Sequence, residues 1–276
     1  DQGGAIFNEE AASLTIARTT VSGNTTTQDG GGIYNDEGVV SLNAVSILLN
    51  TAAFDGGGLY NASAGQITIT NGMFDDNSAD RDGGAIANFG ISLSLNGTIV
   101  RDSSAVRNGG GLFNDQEEGT VSLLNASFLN NEAGSGGAIY NQELGVINLD
   151  LSDLMNNTAS VNGGGIFNTA DATINVHRST VDGNTALYGA GIYNDDVAQL
   201  NLIDSTVSNN VASNDGGGLF NNSLVVGDIV NATISGNEAG FTIQKKVRWK
   251  SPTRPSSTTR QQPVVVFLMK PMDLSA

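Results

Sequence analysis

Apolar and polar residues alternate in short stretches along this chain. Leu14/Ile16, Ile67/Ile69, Leu93/Leu95, Val121/Leu123, Ile147/Leu149, Ile174/Val176 and Leu200/Leu202 are pairs split by one polar residue. A period of two predicts strands with one buried face. No 3.6-residue apolar stripe is sustained, and Gly and β-branched residues are frequent, which argues against helix. Between the pairs a hexad returns nine times: Gly-Gly or Gly-Ala, then Gly or Ala, Ile or Leu, usually an aromatic, and Asn. Its closing Asn falls at Asn8, Asn35, Asn61, Asn88, Asn114, Asn141, Asn168, Asn194 and Asn221, at intervals of 26 or 27. A further short segment follows each pair, as in Thr20–Thr25, Ser179–Ala186 and Ser205–Ala212.

A fixed period in this range marks a solenoid. Three short strands per repeat, separated by Gly, Asn, Asp and Ser turns, predict an all-β fold. It is a single-stranded parallel β-helix of about nine coils of 26–27 residues, triangular in section. Each strand pairs with its equivalents one coil away, about 4.8 Å off. The fourth hexad position is Ile or Leu in every copy, from Ile6 to Leu219, and is placed inside. The glycines before it turn the chain or let coils approach closely. The closing Asn residues form one ladder, and Asn24, Asn50, Asn77, Asn157, Asn184, Asn210 and Asn237 form a second. Both read as structural: Asn amides stack along the axis and tolerate a left-handed bend.

Composition and charge divide the chain near Gly240. Residues 1–240, the repeat domain, carry a net charge of −22 with five Arg and no Lys. Residues 241–276 carry +6 with all four prolines, every Lys, the single Trp and none of the 32 Asn. This basic tail is expected to be poorly ordered over 251–276. The apolar run at 264–269 is too short to span a membrane. Nothing resembling a cap precedes Gly3, and open solenoid ends need one. The expectation is therefore a fragment of a longer protein. An acidic surface repels nucleic-acid phosphates and anionic lipid, and without Cys there is no thiol chemistry or disulfide framework.

Gly-Gly-Ala-Ile occurs at Gly3–Ile6, Gly83–Ile86 and Gly136–Ile139, and Phe-x-x-Asn at Phe74–Asn77 and Phe128–Asn131. An aliphatic residue replaces that Phe elsewhere, as in Val21–Asn24 and Ile234–Asn237. The pairing resembles the repeats of the polymorphic outer membrane proteins, autotransporter-type passengers within the pectin-lyase-like β-helix class. The resemblance covers residues 1–240. It implies a right-handed helix, a bacterial source, a secreted or cell-surface location, and adhesion.

β-Helices also host polysaccharide lyases and glycoside hydrolases, so catalysis is the rival reading, and a carbohydrate-binding module a third. Lyase chemistry needs carboxylates for Ca²⁺ beside an Arg or Lys base, and the five Arg of the repeats are scattered. The acidic pairs Asp75-Asp76 and Asp195-Asp196 fit turn composition. His177, the only His, could form an acid–base group with Asp171, Asp182 or Asp204, but the bland reading is a solvated residue beside Arg178. No catalytic residue is assigned and the chain is read as a non-enzyme. Asp29, Asp55, Asp82 and Asp215 each precede a hexad Gly and could hold Ca²⁺, the only cofactor considered. Asn108, Ser135, Asn162 and Tyr188 interrupt that column, which favours turn capping. Asn-x-Ser/Thr tripeptides follow from repeat composition.

The fifth hexad position supplies the candidate binding residues: Phe7, Tyr34, Tyr60, Phe113, Tyr140, Phe167, Tyr193 and Phe220, with Ala87 the exception. Alternation turns these rings away from the core. They are either a self-stacking ladder or a flat stripe for carbohydrate or a protein on a host or neighbouring surface.

Overall fold

The alternating pairs lie in five-residue strands such as Val39–Asn43, Gln66–Thr70 and Thr173–His177, in which the two apolar residues of each pair are buried. Each strand runs parallel to its equivalents one coil before and after; Ile67 aligns with Val40 on one side and Leu93 on the other. The computed structural model describes residues 2–10, 12–116, 119–225, 227–239, 241–243 and 248–249. Every element among them is a β-strand, and together they form a parallel β-solenoid.

The strands stack into four sheets of ten, ten, nine and eight members. The hexads make the first sheet, the alternating pairs the second, and three-residue strands such as Ser46–Leu48 the third. The fourth sheet was not expected. It begins with the two-residue strands Thr25–Thr26 and Thr51–Ala52. The segment read as one strand is two, broken by a left-handed residue. Gly23, Leu49, Asp76, Asp102, Asn130, Asn156, Gly183, Asn209 and Gly236 make that break, with φ between 51° and 68°. The residue just ahead of each second-ladder position, not the ladder Asn itself, therefore takes the bend.

Inside, Ile33, Leu59, Ile86, Leu112, Ile139, Ile166, Ile192 and Leu219 are fully buried. They join Phe74, Phe128 and the aliphatic residues of the second and third sheets in one continuous core cluster. Burial of a Leu or Ile side chain is worth roughly 1.5–3 kcal/mol, so stability accumulates coil by coil along one axis. The hexad glycines divide two tasks. Gly136 turns the chain at φ 64°. At Gly137 a Cβ would lie 2.5 Å from the carbonyl oxygens of Gly164 and Thr158, so only glycine lets the next coil approach.

The composition shift at 240 does not end strand pairing. Phe241–Ile243 adds to the first sheet and Arg248–Trp249 to the second. Ladder hydrogen bonds are made by backbone, which any non-proline residue supplies. The expected tail over 251–276 lies outside the described residues.

Candidate functional site

Two interior ladders fix the sheet on which the candidate site rests. From Asn8 to Asn221 each hexad Asn donates its Nδ2 to the Oδ1 of the next, at 2.8–2.9 Å. The run ends where Ile243 aligns with Asn221, whose Nδ2 is buried without a partner. The second ladder passes through Asn24, Asn50 and Asn77, is bridged by Ser103, and resumes at Asn131, Asn157, Asn184, Asn210 and Asn237. Its amides also donate back to the previous coil, as from Asn157 to the Phe128 carbonyl at 3.0 Å.

On the opposite face of the hexad strands the aromatic residues form one continuous stack. Phe7, Tyr34, Tyr60, Phe89, Phe113, Tyr140, Phe167, Tyr193 and Phe220 follow one another with ring centroids 4.8–5.6 Å apart. Phe89 is the member the hexad pattern missed. It fills the gap that Ala87 leaves, from two residues further along the same strand end. The period-two rule already places residues 87 and 89 on one side, so that parity was the available signal.

Of the two expected forms, the rings take the self-stacking ladder rather than an open, flat stripe. Tyr34, Phe113, Phe167 and Phe220 are buried, and Tyr60, Tyr140 and Tyr193 are half-buried. Only Phe7, at the first coil, is 44% exposed. Most neighbouring rings lie within about 30° of parallel, so their faces are taken up by each other. What reaches solvent is ring edges. Burial, followed by the charge of Asp195, pushes the Tyr193 hydroxyl up to about 12. Burial, then Asp82 and Asp115, does the same for Tyr140, again to about 12. The tyrosines therefore stay protonated and offer neutral hydroxyls beside carboxylates.

The candidate acid–base groups resolve differently. His177 Nδ1 lies 3.2 Å from Asp150 Oδ1, and its Nε2 lies 3.4 Å from Asp204 Oδ2, one coil to either side. Of the three proposed partners only Asp204 reaches it. Asp182 instead accepts from Ser208 and Asn209. Arg178 binds Asp150 in two-pronged fashion and holds its carboxyl below the usual range, with His177 adding to the effect. All four side chains are open to solvent by at least 31%. Asp76 and Asp196 sit at φ 53° and 56°, which is the turn role expected of both acidic pairs. Among the described residues no group of three or more His, Asp or Glu is arranged to hold a metal ion. In the Asp column Asp55 and Asp82 face Arg81 and Arg107. Among the described residues no helix is long and apolar enough to cross a membrane.

No curated protein and no solved structure matches this chain. A family model matches within the repeats themselves. Residues 18–36 run from the left-handed corner after the second sheet through the hexad Asn35, and residues 125–142 cover the same span of a later coil. Both segments match the Chlamydia polymorphic membrane protein repeat, and both lie within coils of the parallel β-solenoid described above.

Proposed function

We propose that this chain is a non-enzymatic rod from a surface-exposed, autotransporter-type passenger, and that it serves adhesion. One observation carries the reading: the coils stay in register along the first and third sheets. Among the described residues, register shifts are confined to short steps in the fourth, at Ala133/Ser135, Thr158/Asn162 and Ala186/Tyr188. Repeats of 26 or 27 residues leave no long loop to wall a catalytic cleft. The match to polymorphic membrane protein repeats supports an outer-membrane or cell-surface setting.

The partner class this role calls for is a carbohydrate or a protein on a host or neighbouring surface. Stacking has consumed the ring faces on which a sugar would lie. A partner therefore meets ring edges, tyrosyl hydroxyls and the carboxylates beside them. Tyr140→Phe combined with Tyr193→Phe removes two hydroxyls and keeps the stack. Binding of the purified chain to cells or immobilised glycans is expected to weaken several-fold, with the melting temperature unchanged. Unchanged binding by the double variant would remove the stripe from the proposal. No product release from pectate, galacturonan or neutral glycans is expected, with or without Ca²⁺. Release that disappears on His177→Ala would establish the enzymatic reading instead.

A further inference from the structure

We propose that Asp29, Asp55 and Asp82 form a proton-binding girdle on the early coils, and that it tightens the rod in mildly acid surroundings. The three residues precede the first glycine of successive hexads and are linked through the backbone. The Asp55 N–H donates to Asp29 Oδ1 at 3.0 Å, and the Asp82 N–H to Asp55 Oδ1 at 3.0 Å. Asp55 and Asp82 are only 6% and 2% exposed. Two guanidiniums face them. Arg107 lies 2.9 Å from Asp82 Oδ2, while Arg81 Nε is 3.6 Å from Asp55 Oδ1 and is shared with the Phe54 ring, 5.4 Å from its centroid. Tyr34, Tyr60 and Tyr140, from the aromatic stack, also sense this column, and all three are held protonated, chiefly by burial.

The arrangement is short of positive charge and of donors. Three carboxylates meet two cations that are each 43% or more exposed. Asn108 donates toward the Asp82 carboxyl from its amide and its backbone and opposes the effect of burial. Asp82 Oδ1 is nonetheless buried outside full hydrogen-bond geometry, and an imperfectly paired buried acceptor is costly. Later coils put Asn108, Ser135 and Asn162 in the same column, in line with Asp82. The fold therefore does not require carboxyls here, and they bring a pH response that neutral residues lack. A proton supplies the missing donor and removes one buried negative charge.

Burial raises the Asp55 carboxyl to about 6 despite the opposing pull of Arg81, and raises Asp82 as well. A group whose folded value lies above its unfolded one contributes stability at low pH and loses it as pH rises through the folded value. The girdle is thus tightest below about pH 4 and loosens as the pH rises through about 6.

Carbon-detected NMR of the full chain, assigned through the backbone, follows the Asp55 carboxyl directly. The expected midpoint is about 6; a midpoint in the ordinary aspartate range, about 4, would overturn the proposal. Melting at pH 5 and pH 7.5 gives a second reading. Asp55→Asn is expected to reduce the acid-side gain in melting temperature by about 2–4 °C. Asp76→Asn, on an exposed turn, should leave that gain intact. An equal gain in wild type and Asp55→Asn would show that general charge repulsion, not the girdle, sets the response. Should Asp55→Asn fail to fold, the wild-type titration decides alone.

Discussion

Asn141→Ala is expected to destabilise the rod by about 3–5 kcal/mol, because it removes several buried hydrogen bonds and strands their partners. Asn141 is fully buried. Its Nδ2 donates to Asn168 Oδ1, to the Gly145 carbonyl and to the Thr173 carbonyl, at 2.9, 3.0 and 3.2 Å, and its Oδ1 accepts from Asn114 at 2.8 Å. Alanine leaves Asn168 Oδ1 without its donor and Asn114 Nδ2 without its acceptor, while the Gly145 carbonyl keeps the Thr173 N–H. Asn141→Asp should cost at least as much near neutral pH. It has nearly the same shape, but it aims an anion at those same oxygens. Asn43→Ala, on the solvent side of the second sheet, should stay within about 0.5 kcal/mol of wild type. Denaturant melts of the three variants check the series, and equal, small losses would mean that the ladder contributes little.

Gly137→Ala should cost roughly 3 kcal/mol, as overpacking against rigid backbone does. The added methyl lies 2.5 Å from two carbonyl oxygens of the following coil, so the coils must separate. Gly23→Ala is the informative contrast. Gly23 has φ 68° but open space where a Cβ would stand, so it bears only the left-handed penalty of about 1–2 kcal/mol. Thermal unfolding of both variants separates close approach from backbone conformation. A larger loss at Gly23 than at Gly137 would reverse the roles assigned to the two glycines.

What could be read in the sequence depended on how often each feature was repeated and how long it was. The buried Ile/Leu column and the hexad Asn ladder were legible because nine copies share one spacing. The fourth sheet was not, since strands such as Ser78–Ala79 are too short to display alternation. Phe89 was hidden because the ring moved two residues out of the hexad, which kept its side but broke the pattern. Asp150 was overlooked beside His177, although subtracting one 27-residue repeat from 177 points to it; in a solenoid the neighbours that matter lie one coil away, not nearby in sequence. The left-handed corners were half legible. Gly, Asn and Asp announce them, but Leu49 and Leu151 adopt φ 57° and 52° with no such signal, held there by the pairing on either side.

Electron–electron spin resonance distances in this cysteine-free chain test the stacking of in-register coils most directly. Thr15, Ser122 and Asn201 share one outward row of the second sheet, linked through Ser41, Thr68, Ser94, Asn148 and Asn175. Cysteines introduced in pairs at 15 and 122, and at 15 and 201, carry the labels. At about 4.8 Å per coil, the separations expected are about 19 Å and about 34 Å. Distances that fail to grow in proportion to the number of coils between the labels would contradict the solenoid and everything built on it.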